Sequence, residues 1–302
     1  MVNTTILYII KKITRLVRPS NGIDYLATRK MLDVLGAVLS FLSWRSYNLS
    51  KVSANNVPAE WNIPKNVVDK RVMMYLHGGA YVAGSLKSHR ELVFRLARAV
   101  CARALAIDYR LAPEHPYPAA LEDAVAAYTY LLDIGTDSAD ITIIGDSAGG
   151  GLTLALLQEL RAKKIPLPAC ATCLSPWTDL TGSGETMQSN SEVDPMLTSQ
   201  LLDDDARYYA NGMDLKNPTI SPLFGTFIGL PPILIQVGTD EILLDDSRRL
   251  VELVKKADSK IELEIWPKMF HVWHIHFLLL SDARKAINKI SQFVEKHMKV
   301  RV

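Results

Sequence analysis

Residues 141–152 read Ile141-Thr142-Ile143-Ile144-Gly145-Asp146-Ser147-Ala148-Gly149-Gly150-Gly151-Leu152. The stretch opens on a β-branched run of the kind that forms a strand buried on both faces. Gly145-Asp146-Ser147-Ala148-Gly149 then fits G-x-S-x-G, and Leu152, Leu154, Leu156, Leu157 and Leu160 continue in a pattern compatible with a packed helix. A serine on a sharp strand-to-helix turn has a strained backbone and a hydroxyl pushed above the sheet. Small residues flank it because a Cβ two positions away would strike the neighbouring chain. The helix that follows points its positive end and free N–H groups at any charge developing near the hydroxyl. The bare pattern arises by chance in about one chain in ten of this length. The strand before it and the helix after it make Ser147 a candidate nucleophile.

A serine hydroxyl is a poor nucleophile without a base in hydrogen-bond reach, and the base needs an orienting group. Candidates belong at the exits of neighbouring strands. A strand over 232–237 runs into Gly238-Thr239, and two acids follow at once, Asp240 and Glu241. Adjacent turn residues point in different directions, so one of the two faces the base. Asp245 and Asp246 read as first-turn acids of the next helix, a structural role. His271 follows a strand over 261–266 and the short loop Pro267-Lys268-Met269-Phe270. The resulting order, serine, acid, histidine, is the one associated with α/β-hydrolases. Acyl transfer also needs N–H donors for a developing oxyanion. His77-Gly78-Gly79-Ala80 follows a strand over 71–76, so Gly78 and Gly79, with Ala148 after the serine, are the candidate donors.

Metal and redox readings are weaker. His271, His274 and His276 lack the carboxylate or thiolate help and defined geometry of a zinc centre. Cys170 and Cys173 make one Cys-x-x-Cys, but residues 169–174 read as a buried strand. Zinc would need two more ligands, and redox use would need an exposed helix N-terminus. No metal and no cofactor are expected.

The rest of the chain alternates strands and helices. Strand pairs over 49–54 and 59–63 come first. Later strands fall at 104–108, 141–146 and 169–174, with helices at 90–100, 119–132 (Pro118 at its start), 245–257 and 282–297. Repeated β-α-β crossovers give a mostly parallel sheet covered on both faces, with its active site at the carboxyl ends of the strands. Residues 175–223 interrupt the alternation with a turn at 192–198 and a helix at 199–209, as pocket walls do. Residues 1–47 differ again, with helices at 6–17 and 25–44 divided at Pro19-Ser20-Asn21-Gly22. The second carries Met31, Leu32, Val34, Leu35, Val38, Leu39, Phe41, Leu42 and Trp44, a broader apolar stripe than one neighbour requires. Burial against the main domain, a lid over an apolar cleft, or contact with lipid would each account for it. The division expected is an N-terminal helical cap segment over 1–47 and a catalytic domain over 48–302, with residues about 180–222 joining the cap.

The 302 residues carry 22% charged and 48% hydrophobic side chains and a net charge of +2. That is ordinary globular composition and offers no bulk electrostatic case for nucleic acid. Three cysteines do not suggest a disulfide framework. The apolar run at 5–10 is too short to span a bilayer and its charges follow it, so neither an integral membrane segment nor a secretion signal is expected, and the default location is cytoplasmic.

The sequence resembles the hormone-sensitive-lipase family of carboxylesterases, in its bacterial Gly-Asp-Ser-Ala-Gly branch. The resemblance rests on His77-Gly78-Gly79-Ala80-Tyr81, Asp108-Tyr109-Arg110-Leu111-Ala112-Pro113-Glu114, the Ser147 turn, Ser175-Pro176-Trp177, Asp194-Pro195-Met196, the acidic turn after Gly238, and His271. It spans roughly residues 70–300. It implies an α/β-hydrolase core of about eight strands with a helical cap. It also implies cofactor-free hydrolysis of short-to-medium acyl esters, and dimers through the edge strand and last helix. The family's acid opens an Asp-x-Leu-x-Asp pattern; counted back from Asp245 through Leu243, that position is Glu241, which is favoured over Asp240. The oxyanion loop's third glycine is Ala80 here. The function expected is a serine carboxylesterase acting on a small ester through an acyl-enzyme. An amidase or acyl transferase with the same triad is the alternative. A non-catalytic binding protein of this fold would lack the histidine.

Overall fold

The computed structural model describes residues 4–17, 24–41, 46–68 and 70–298. The break at Pro19-Ser20-Asn21-Gly22, and Leu42 and Trp44 of the second helix, lie outside the described residues. The strands are β1 (Tyr47–Ala54), β2 (Val57–Pro64), β3 (Val72–Leu76), β4 (Arg103–Ile107), β5 (Ile141–Asp146), β6 (Cys170–Leu174), β7 (Ile233–Gly238) and β8 (Ile261–Trp266). They form one eight-stranded sheet in the order β1-β2-β4-β3-β5-β6-β7-β8. β1 and β2 form an antiparallel hairpin and β2 pairs antiparallel to β4; every other pairing is parallel. This is an α/β-hydrolase fold.

The helices are α1 (Thr4–Val17), α2 (Tyr25–Phe41), α3 (Leu86–Ala99), α4 (Ala119–Asp133), α5 (Ala148–Ala162), the single turn α6 (Thr186–Ser189), α7 (Ser199–Ala210), α8 (Leu244–Lys256) and α9 (Ser281–His297). Alternation along each strand splits the core in two. Val72, Met74, Leu76, Ile141, Ile143, Ile233 and Ile235 face one apolar layer, which holds α4, α5 and α8 residues. Met73, Tyr75, Ile144 and Leu234 face the other, with α3 and α9 and with Leu7 and Ile10 of α1. Cys170 and Cys173, three apart on β6, fall into opposite layers and so cannot share a metal. Burial pushes the Cys170 thiol up to about 11 and the Cys173 thiol higher still, as expected of inert core thiols.

Several boundaries differ from the sequence reading by a few residues. α3 begins at Leu86, not Arg90, because Ser85 caps it and closes a capping box with Ser88. Pro118 is the residue before α4 rather than its first residue. The larger difference is α2. Its apolar stripe faces outward: Val34 is 64% exposed, Val38 66% and Phe41 72%, while Gly36 and Ser40 are the buried positions. Leu32 of the stripe packs partly buried against the core, but the exposed members are neither buried against the sheet nor closed over a cleft.

Candidate active site

The carboxyl ends of β3, β5, β6, β7 and β8 lie along one edge of the sheet and lead into His77, Ser147, Ser175, Glu241 and His271 respectively. Ser147 has φ 52° and ψ −122°, a conformation an L-residue adopts only under constraint. Such a conformation costs about 1–3 kcal/mol and persists only when its surroundings fix it. Here the Ser147 N–H donates to the Leu174 carbonyl at 2.8 Å, and its own carbonyl accepts from Gly151 and Trp177 at 3.1 and 3.0 Å. A Cβ at Gly149 would run into the Leu76 carbonyl, and one at Gly145 into the Gly149 carbonyl, so the turn closes only with glycine at both places.

The Ser147 hydroxyl donates to His271 Nε2 at 2.8 Å, and His271 Nδ1–H donates to Glu241 Oε2 at 3.1 Å. Ser147 is 8% exposed, His271 3% and Glu241 fully buried. Glu241 Oε1 accepts from the Gly238 N–H at 2.6 Å and from the Ser175 hydroxyl at 2.8 Å. Ser175 can give its proton to Glu241 because its oxygen already accepts the Val272 N–H at 3.1 Å. This relay ties the acid to the residue after His271. The sequence reading quoted Ser175-Pro176-Trp177 without giving Ser175 a role, and spacing alone could not reveal one.

The neighbouring acids point elsewhere. Asp240 pairs with Lys11 of α1 at 2.5 Å, both partly buried, and so faces away from His271. Asp194, fully buried, accepts the N–H groups of Met196, Leu197 and Ile242, fastening the 175–223 insertion to the turn after Glu241. Asp245 and Asp246 stand in the first turn of α8 and accept N–H groups of the insertion, Asp245 from Thr186 and Asp246 from Thr178 and Asp179. Burial raises the Asp246 carboxyl to about 7.

Burial works against a charged His271, but the hydrogen bond and charge of Glu241 outweigh it and leave its pKa raised. Burial raises Glu241, while His271 and the Gly238 N–H pull it back toward the carboxylate. His274 is fully buried and bonds Gln236 Oε1 through Nε2 at 2.9 Å; burial lowers its pKa to about 3, and that of His276 to about 4. Among the described residues no group of three or more His, Cys, Asp or Glu side chains is placed to hold a metal.

The loop after β3 revises one assignment. The Gly78 N–H is not free: it donates to Asp146 Oδ1 at 3.0 Å, and that oxygen also accepts the Tyr75 hydroxyl at 2.5 Å. Among the described residues no acceptor is found for the N–H groups of Gly79, Ala80 and Ala148. Gly78 therefore anchors the loop, and Ala80, with φ 53°, holds a left-handed conformation that favours glycine. The Tyr109 hydroxyl, stacked on the His77 ring, donates to the His77 carbonyl at 2.6 Å. A cavity of about 420 Å³ lined by Pro232, Lys255, Lys260, Phe293 and His297 opens at the amino ends of β7 and β8, the edge away from Ser147.

A family model described as alpha/beta hydrolase fold matches residues 73–275. An acetyl-hydrolase of Streptomyces hygroscopicus is 44% identical over 243 residues, covering 80% of this chain and 81% of that protein. The crystal structure of an esterase/lipase from an uncultured bacterium, 40% identical, superposes with a TM-score of 0.92 over 97% of this chain and 98% of the other. An esterase described as belonging to the bacterial hormone-sensitive lipase family is 38% identical, with a TM-score of 0.91 over 98% of this chain and 97% of its own. The chain belongs to the α/β-hydrolase fold family, among the bacterial esterases of the hormone-sensitive-lipase type.

Proposed function

We propose that the protein is a serine carboxylesterase that cleaves short-to-medium acyl esters through an acyl-enzyme, with Ser147 as nucleophile, His271 as base and Glu241 as its orienting acid. The observation carrying this reading is the continuous hydrogen-bonded line from Ser147 Oγ through His271 to Glu241. His271 Nε2 takes the hydroxyl proton as Oγ attacks the acyl carbon. Glu241 keeps the other proton on Nδ1 and stabilises the imidazolium. Negative charge moves to the former carbonyl oxygen, where the N–H groups of Gly79, Ala80 and Ala148 meet it; losing one such donor costs about 10²–10³ in rate. The Nε2 proton then passes to the departing alkoxide, leaving an acyl-Ser147. Water, deprotonated by the same nitrogen, attacks that ester and releases the acid. Every proton moves between this chain, the substrate and water, so the scheme needs no cofactor.

The 1–47 segment and residues about 180–222 serve as a cap around this site. Supporting that assignment, α1 reaches Asp240 through Lys11, and α2 reaches the oxyanion loop through Arg29, whose Nε–H donates to the Val82 carbonyl at 2.7 Å. Tyr209 of α7 stacks on Tyr81 at 3.8 Å.

Turnover of p-nitrophenyl esters of increasing acyl length, set beside matching p-nitroanilides, tests the reading. Ester turnover exceeding anilide turnover by orders of magnitude, and lost in a folded Ser147→Ala variant, is the expected result. Anilides cleaved as fast as esters would make it an amidase; esters cleaved undiminished by Ser147→Ala would end the proposal.

A further inference from the structure

α2 is amphipathic in the reverse sense of a surface helix. The side chains it turns toward the protein are mainly polar or small. Arg29 donates to the Val82 and Ala112 carbonyls and pairs with Glu114, which it holds down to about 2. Asp33 accepts the hydroxyl of Ser85, the cap of α3, at 2.5 Å. Gly36 lies so close to the backbone of Lys87 and Ser88 that no Cβ would fit. The opposite face holds Leu26, Met31, Val34, Leu35, Val38 and Phe41, between 41% and 72% exposed. A helix adapted to water at that face would carry its charges there.

α1 shows the same excess on its outer side. Leu7 and Ile10 are buried in the core, yet Tyr8, Ile9, Ile13 and Leu16 are 65%, 49%, 56% and 77% exposed. These four recur with helical spacing along one stripe, which also carries Lys12. α1 contains no acid, and Lys12, Arg15 and Lys30 are exposed. Among acids beside the two helices, Glu114 pairs with Arg29 and Asp240 with Lys11, Asp33 accepts from Ser85 and Asp24 from the Ala27 N–H, while Arg15 donates to the Glu192 carbonyl. The surface is apolar, with the exposed cations Lys12, Arg15 and Lys30 along it. At 14 and 17 residues the helices extend about 21 and 25 Å, short of the about 30 Å hydrocarbon core. They suit lying in an interface rather than crossing it.

We propose that the outward faces of α1 and α2 form a docking surface for an anionic lipid bilayer, on which the protein rests reversibly. Charge selects this occupant. A two-fold contact between copies brings a patch against itself, setting Lys12, Arg15 and Lys30 near their own counterparts, whereas anionic headgroups complement them while the acyl region takes up the apolar side chains. Both helices also touch the loops around Ser147: Lys11 bonds the residue before Glu241, and Arg29 bonds Val82, two residues past Ala80. Docking through them would present an ester dissolved in the lipid surface to the site.

The test is co-sedimentation of the full chain with vesicles, measured without any turnover, so that it stands apart from the esterase reading. Phosphatidylcholine vesicles containing about one-third phosphatidylglycerol should retain the protein at least about tenfold better than phosphatidylcholine alone, with the difference shrinking in about 0.5 M salt. Val34→Asp with Val38→Asp should weaken retention by at least about tenfold, and Val34→Leu with Val38→Leu should keep it. Hydrolysis of a water-soluble acetyl ester should be the same in all three proteins. No retention of the unmodified chain on the anionic vesicles overturns the proposal, whether or not the aspartate variant folds. So does equal retention by a folded aspartate variant, or retention indifferent to lipid charge. A concentration-dependent dimer that the aspartates break, with no vesicle binding, would assign the patch to a second copy instead.

Discussion

Among the acids of the turn after β7, direction separates two neighbours. Glu241 is buried and meets His271; Asp240 turns outward to Lys11. Glu241→Gln removes the charge that raises His271 and should lower kcat by about 10³–10⁴, while Asp240→Asn should change it less than about threefold. The sign of the pH effect follows from the raised His271. Only the neutral imidazole accepts the Ser147 proton, so kcat/KM is low below the histidine's pKa and climbs as pH passes through it. Because Glu241 raises that pKa, the climb should lie on the alkaline side of an ordinary histidine's about 6.5, and Glu241→Gln should move it to lower pH. Rate profiles between about pH 5 and 9 decide this. A limb that stays put in Glu241→Gln, or a large loss in Asp240→Asn, would mean the acid is misassigned.

At the scale of elements, the loop after β3, to which the proposal gives the oxyanion role, and the turn from β5 to α5 are joined through Asp146. Replacing Asp146 with alanine leaves the Gly78 N–H and the Tyr75 hydroxyl buried without an acceptor, costing about 1–3 kcal/mol each. The loop should then loosen, and kcat should fall by about 10–100-fold with KM changed far less, because the donors act on the transition state rather than on bound ester. An unchanged kcat in a folded variant would show that the loop holds itself. Much at this scale was legible beforehand. β-branched runs and Gly-rich exits marked the strands, and the positions after them pointed to the Ser147 turn, to the pair Asp240 and Glu241, and to His271; the preference for Glu241 came from the family resemblance. What stayed hidden was direction. No spacing rule says that the Gly78 N–H turns toward Asp146, or that Ser175 donates to Glu241. The apolar stripe of α2 was plain, but which side faced the protein depended on Arg29, Asp33 and Gly36 finding partners far along the chain.

For the whole molecule, the parallel run β3-β5-β6-β7-β8 brings His77, Ser147, Ser175, Glu241 and His271 to one edge although they span residues 77 to 271. Apolar layers on both faces hold the strands in register, so loops far apart in sequence meet within hydrogen-bond distance. The 175–223 insertion and the two N-terminal helices attach to those same loops through Asp194, Lys11 and Arg29. Among the described residues no helix is long and apolar enough to cross a membrane. The proposed reaction rests on one oxygen, Ser147 Oγ. The most direct measurement is therefore covalent labelling with a p-nitrophenyl alkylphosphonate, the adduct located by peptide mass spectrometry in the unmodified protein and in His271→Ala. One adduct, on Ser147, releasing one p-nitrophenol per chain and strongly slowed without His271, is the result predicted. No adduct, or one on another residue, or labelling of Ser147 that is indifferent to His271, would contradict it.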